Sequence, residues 1–308
     1  MRTTRRTFVQ TMSMAALSTA FVFRTPQAPL PIAFSTIGCP AWDFSKILDF
    51  AVQNGFAAIE LRGLQGNLDL PSHPIFAPER VKDTKRQITA HNLKIACVSS
   101  STDVGEPDRE KRSKGMADAR RFIDLAAELE SPYVRVFGKS ADSARPVPPD
   151  ESLRNRTVDG LHELGEYARD RQIIVLLESH DDFAATPVLQ EVLKRADSSA
   201  VALLWDAFHT FATSNEDPAV TVTALGPWIR HCHLKDAIGT GPNRKYVLTG
   251  RGNIPVRRQI ALLQASGYPG YYCFEWEKVW HPDLEDPEIA IADFAKVVRG
   301  YFADSKAD

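Results

Sequence analysis

The chain has 308 residues, 44% hydrophobic and 25% charged, with 37 Lys and Arg against 39 Asp and Glu for a formal net charge of -2. Such values belong to an ordinary globular protein and exclude a disordered chain, a fibrous repeat and a small disulfide-knotted scaffold. The near-neutral balance also excludes a dedicated nucleic-acid binder, which needs a basic surplus to displace the counterions of phosphates.

The first residues read as an address rather than as part of a domain. Thr4-Arg5-Arg6-Thr7-Phe8-Val9-Gln10 resembles the twin-arginine export signal, and residues 11–23 form an uncharged stretch rich in Ala, Met and Phe. That stretch is too short to cross the roughly 30 Å hydrocarbon core of a bilayer as a helix. The resemblance implies a signal and linker over residues 1–29 and one folded domain over residues 30–308. It also implies the twin-arginine export machinery as a partner and a periplasmic or exported location. No A-x-A site precedes the linker Pro26-Gln27-Ala28-Pro29, so processing near Ala20, near Ala28 or not at all stays open. The four cysteines, Cys39, Cys97, Cys232 and Cys273, are widely spaced and match neither a disulfide framework nor a zinc motif. They are expected to be buried thiols acting as small hydrophobes.

From residue 30 onward, short apolar, β-branched runs fall at residues 31–37, 56–61, 94–99, 133–137, 173–177, 201–205, 228–234 and 271–276. Longer segments of helical periodicity separate them, for example 46–52 and 122–127. Continuous apolar strands alternating with amphipathic helices predict a parallel sheet covered by helices. Eight such units match an α/β fold of the (β/α)₈ TIM-barrel type in number and size. A doubly wound open sheet would usually carry a glycine-rich turn after the first strand, and Ile37-Gly38-Cys39-Pro40 is no such turn. Two long connections, residues 63–78 and 235–254, follow strands and are therefore expected on the C-terminal rim, as a lid, a substrate-binding segment or solvent-facing decoration.

Several apolar runs finish on an ionisable residue. Leu176-Leu177 leads into Glu178, Leu204-Trp205 into Asp206, His231-Cys232-His233 into Leu234-Lys235, and Cys273-Phe274 into Glu275. A buried, unpaired carboxylate is costly, so such groups need a cation, a hydrogen-bond network or a raised pKa. Taken singly, an acid at a strand end is more often an ion-pair or capping residue than a ligand. Glu178, Asp206, His233 and Glu275 on four successive strands instead suggest one oxygen-rich site. Three carboxylates and one imidazole suit Mn²⁺, Mg²⁺ or Co²⁺ and admit Zn²⁺, whose structural sites favour sulfur and nitrogen.

At these residues the sequence resembles the sugar phosphate isomerase/epimerase family of xylose isomerase-like TIM barrels. The carriers are Gly55-Phe56-Ala57-Ala58-Ile59-Glu60-Leu61-Arg62, LLESH ending at His180, LLWDAFH ending at His209, HCHLKDA from His231, GRGNIP from Gly250 and GYPGYYCFEWE ending at Glu277. The resemblance implies that Glu178, Asp206, His233 and Glu275 hold one divalent ion, with Glu178 and Glu275 as the proton-transfer pair. It implies a substrate contact at His209 and further substrate or supporting contacts at Glu60 and His180. Lys235, next to the His233 strand, is a further candidate for substrate binding. Lys235-Asp236-Ala237-Ile238-Gly239 carries no arginine where the ketose epimerases of the family place one. The additional histidines of the DNA-repair relatives are also missing from the first four strands.

Such a site would acidify the C–H beside a carbonyl and let a carboxylate abstract the proton, giving a metal-stabilised enediolate. Return of the proton gives isomerisation or epimerisation, the leading expectation. Loss of a β-hydroxyl gives a dehydratase on the same scaffold, the alternative, and a non-catalytic carbohydrate-binding barrel ranks third. The export segment favours an unphosphorylated sugar or keto-sugar, since sugar phosphates are mainly cytoplasmic. Trp205, Trp276 and Trp280 are candidates to stack on a sugar ring, with core packing the better reading for Trp205. Oligomeric state stays open, a homo-oligomer included.

Overall fold

The computed structural model describes residues 29–139, 147–241 and 243–304, so the export-like segment lies outside the described residues. The strands are β1 (Ile32–Ser35), β2 (Ala58–Leu61), β3 (Lys94–Asp103), β4 (Tyr133–Phe137), β5 (Ile174–Glu178), β6 (Val201–Asp206), β7 (Ile229–Leu234), β8 (Asp236–Ile238), β9 (Lys245–Val247) and β10 (Tyr272–Phe274). All but β8 and β9 close a parallel barrel in chain order, with β10 pairing β7 on one side and β1 on the other. The helices are α1 (Phe44–Gln53), α2 (Val81–Ala90), α3 (Arg109–Glu128), α4 (Glu151–Arg169), α5 (Thr186–Ala196), α6 (Ala207–Ala212), α7 (Pro218–Leu225), α8 (Val256–Ala265) and α9 (Pro287–Asp304). Among the described residues, none of them is long and apolar enough to cross a membrane.

Successive residues of a strand point to opposite faces, and this alternation divides the core. Phe34, Ile59, Val98, Val134, Val175, Leu203, Trp205 and Phe274 belong to the main apolar layer between sheet and helices. Inside the barrel, Ala33, Ala58, Ala96 and Cys273 form one small apolar cluster, and Cys97, Leu176, Ala202 and Leu204 form another. The residues that follow on the same inward face are polar, so the interior changes from apolar to ionic along the strands. All four cysteines are free and buried, as expected.

Helices begin at the rim where strands end, because acidic caps satisfy their first N–H groups. Asp43 accepts from Lys46 N at 2.8 Å, Asp108 from Lys111 N at 2.9 Å and Asp150 from Leu153 N at 2.7 Å. Two register shifts lie near the site: Ala96 is the extra residue of β3 between the partners of Ile59 and Glu60, and Arg230 that of β7 between the partners of Leu203 and Leu204. Such bulges re-aim the side chains that follow them.

The boundaries differ from expectation in several places; β1 and β2, for example, are shorter than their apolar runs. β3 runs on to Asp103 because its polar end still pairs with β4, while β10 stops at Phe274. The connection 235–254 contains the antiparallel pair β8–β9, with Asp236 opposite Val247 and Ile238 opposite Lys245. The other long connection carries two short 3₁₀ turns, Leu70–Ser72 and Pro74–Phe76.

Candidate metal centre

Alternation stacks the functional side chains in layers. His231, His233 and Lys235 follow one another at two-residue intervals on and beyond β7, as do Cys273, Glu275 and Glu277 from β10. Glu60 ends the inward face of β2, Glu178 ends β5 and Asp206 ends β6.

In the lowest ionic layer, Glu60 Oε2 sits 2.8 Å from His231 Nε2 and 2.7 Å from His233 Nε2. Ser35 donates to the other carboxylate oxygen, Oε1, at 3.0 Å. Burial by itself would raise the Glu60 pKa, but the two imidazoles hold it well below the usual carboxylate range. Because His233 uses Nε2 for Glu60, its Nδ1 is the nitrogen that faces the next layer. There it lies 3.3 Å from Glu178 Oε1 and 3.2 Å from Glu275 Oε1, with no aligned hydrogen bond.

Glu178, Asp206, His233 and Glu275 are all buried, and one ligand atom from each lies within 4.8 Å of the others. Three carboxylates and a ring nitrogen aimed at one point fit a divalent cation, and the donor set favours a hard ion. Asp206 divides its oxygens: Oδ1 accepts from Phe208 N at 2.9 Å and His209 N at 3.3 Å to cap α6, leaving Oδ2 for the centre. A second buried set, Glu60, His231, His233 and Cys273, shares His233. Its direct Glu–His hydrogen bonds make it a support for the first.

Lys235 lies among the acids of the centre. Its side chain is only 1% exposed, and Nζ contacts Asp206 Oδ2 at 2.8 Å, Glu277 Oε1 at 2.7 Å and Glu275 Oε2. Burial opposes its charge, yet Asp206, Glu275 and Glu277 hold its pKa well above the ordinary lysine value. The same ion pairs act in reverse on Glu277, where burial is outweighed by Lys235 and the pKa falls to about 2. Asp206 goes the other way: burial, with Glu275 and Glu178 beside it, outweighs Lys235 and raises it to about 6.

Above the ligands, the His180 and His209 rings lie 3.8 Å apart between centroids. His180 Nδ1 is 2.7 Å from Asp181 Oδ2. Burial disfavours the His180 cation, but Asp181 and Glu178 raise its pKa. His209 is pushed well below its ordinary value, first by burial and then by the charges of His180, Lys235 and Arg244. The wall beside them is aromatic: Phe208 lies 5.6 Å from Tyr246, whose hydroxyl accepts from Arg244 Nε at 3.1 Å. Trp205 and Trp276 are core residues, and Trp280 is half exposed.

Sequence reasoning passed over Arg62, Arg135, His231, Glu277 and Asp236. Arg135 had a signal: it is the one charged residue of Tyr133-Val134-Arg135-Val136-Phe137, a strand enclosed on both faces. His231 had one too, because it precedes His233 by two residues and must share its inward face.

Among curated proteins, the chain is 25% identical over 235 residues to an inosose dehydratase of Bacillus thuringiensis (strain Al Hakam), spanning 68% of this chain and 77% of that one. It is 25% identical over 228 residues to a 3-dehydroshikimate dehydratase of Bacillus anthracis, spanning 69% of this chain and 76% of that one. Among solved structures, the fold matches the IOLI protein with a bound zinc atom at a TM-score of 0.73 and 16% identity, covering 89% of this chain and 98% of that one. A family model described as xylose isomerase-like TIM barrel matches residues 48–297, and the chain belongs to that family.

Proposed function

We propose that this protein is a divalent-metal-dependent dehydratase that removes water from a cyclic or sugar-derived hydroxyketone. The carrying observation is the convergence of Glu178, Asp206, His233 and Glu275 on one buried point, with ligand atoms within 4.8 Å of one another. A divalent ion held there would act as a Lewis acid, polarising the substrate carbonyl and acidifying the neighbouring C–H. A carboxylate of the Glu178 and Glu275 pair takes that proton. Elimination then needs a proton donor for the departing hydroxyl. The ammonium of Lys235 and the Asp181-paired His180 supply two such donors beside the ligands. Phe208 and Tyr246 exclude water from one side.

Both curated relatives are dehydratases, which supports elimination over the isomerase or epimerase reading that ranks first on sequence. The second reading keeps one specific observation in its favour, since Glu178 and Glu275 reach the same His233 nitrogen and could flank one carbon. The Arg5-Arg6 segment supports a substrate without phosphate, handled outside the cytoplasm. The test is a screen of hydroxyketones with protein loaded with Mn²⁺, Mg²⁺, Co²⁺ or Zn²⁺, read by mass and NMR. Products one water lighter than substrate are expected, with no turnover after chelation. Products of unchanged mass would overturn the dehydratase in favour of the isomerase.

A further inference from the structure

Two arginines lie inside the barrel mouth. Arg62 follows Glu60 by two residues and so continues the inward face of β2, while Arg135 stands mid-strand on β4. They are 5% and 1% exposed. The Arg62 backbone is pinned: its N–H donates to Thr36 Oγ1 at 2.9 Å, and the Thr36 hydroxyl donates to Gly63 O at 2.6 Å. Gly63 turns the chain with φ +99, a conformation that favours glycine.

The available acids are largely committed. Arg135 Nε lies 3.0 Å from Glu178 Oε2, and its guanidinium stacks 4.0 Å over the Phe137 ring. Glu60 serves two histidines, and Glu275 serves His233 and Lys235. Nη1 of Arg62 and Nη1 of Arg135 are both buried without a hydrogen bond among the described residues. The two guanidinium groups are near enough to repel, and burial together with Arg135 lowers the Arg62 pKa to about 9. A buried charged donor left unpaired is expensive, and two beside each other more so. A planar carboxylate satisfies such donors in the fork geometry that guanidinium offers. A phosphate dianion suits the place less well, because Glu60, Glu178 and Glu275 surround it.

We propose that the substrate carries a carboxylate and that Arg62, backed by Arg135, binds it, making the substrate a hydroxy- or keto-acid rather than a neutral sugar. The inference rests on the metal-centred reading above and names the substrate class of that same site.

The test uses metal-loaded protein and calorimetric titration with probes that differ in charge: D-glucuronate against D-glucose, and quinate against methyl quinate. D-Glucose 6-phosphate serves as the phosphate arm. At least one acid should bind about tenfold or more tightly than its neutral partner and more tightly than the phosphate. Arg62→Gln should erase that preference with metal affinity and melting temperature little changed, and Arg62→Lys should restore part of it. Equal binding of acids and neutral partners, tighter binding of the phosphate, or a preference that survives Arg62→Gln would each overturn the proposal. The wild-type comparison stands even if Arg62→Gln does not fold. A protein that takes up no divalent ion in the same titrations fails the proposed function. One that takes up the ion without distinguishing acid from neutral probe fails this inference alone.

Discussion

Glu60 Oε2 lies 2.7 Å from His233 Nε2, and this contact decides which nitrogen of His233 faces Glu178 and Glu275. A carboxylate behind an imidazole fixes its orientation and makes its other nitrogen a better ligand. Glu60→Gln should therefore weaken divalent-ion binding by about 10- to 100-fold while circular dichroism stays that of the wild type. Unchanged metal affinity in that variant would show that His233 does not depend on Glu60 for its aim.

Lys235 places an ammonium where the acids converge, in contact with Asp206, Glu275 and Glu277. Removing one member of a buried ion pair strands its partners, at a cost of about 3–5 kcal/mol. The metal-free Lys235→Met variant should melt about 10 °C below metal-free wild type. A divalent ion should recover more of the loss than it adds to the wild type, since it replaces the missing charge. The Glu277 partner adds an acid dependence: its folded pKa of about 2 lies below the ordinary 4.5. Stability from that pair is complete above 4.5 and fades as pH falls towards about 2. Acid unfolding curves that coincide for wild type and Glu277→Gln would remove the pair from the account.

Metal uptake should be stronger at higher pH. Burial disfavours the His233 cation, but Glu275 and Glu60 raise its pKa above the ordinary value, which favours a protonated ring in the metal-free protein. A coordinating imidazole must be neutral, so binding expels that proton. Affinity then rises about tenfold per pH unit until the metal-free His233 titrates. Calorimetry in buffers of different ionisation enthalpy counts the released proton directly. An affinity independent of pH between about 6 and 8 would mean that His233 is neutral before the ion arrives.

The buried acid cluster was legible because each of its carboxylates ends an apolar run, and an acid there breaks a strong pattern: Leu177 to Glu178, Trp205 to Asp206, Phe274 to Glu275. The barrel was legible for the same reason, since strands enclosed on both faces leave continuous apolar runs. For Lys235, sequence gives the position on the rim but not the three carboxylates that surround its ammonium. Arg62 was hidden because a basic residue one step beyond a strand looks like any solvated loop residue. Only the closed barrel shows that its side chain stays inside. The pair β8–β9 was hidden because strands of three residues are too short to display alternation.

Asp236 holds that hairpin against the barrel. Its Oδ1 accepts from Ala237 N at 2.8 Å and Ile254 N at 3.1 Å, and its Oδ2 from Gly250 N at 2.8 Å and Gly252 N at 2.9 Å. A Cβ on Gly252 would stand 2.2 Å from Asp236 Oδ1, so the cradle requires glycine there. Asp236→Ala leaves four backbone donors without their acceptor and should cost about 3 kcal/mol or more. Gly252→Ala should act through the same contact from the other side. Both changes should speed amide exchange over residues 245–254 and raise KM more than they lower kcat, because the hairpin carries Arg244 and Tyr246 to the wall of the site but supplies no ligand. Exchange that stays as slow as in the wild type would show that β7 and α8 hold the hairpin without the carboxylate.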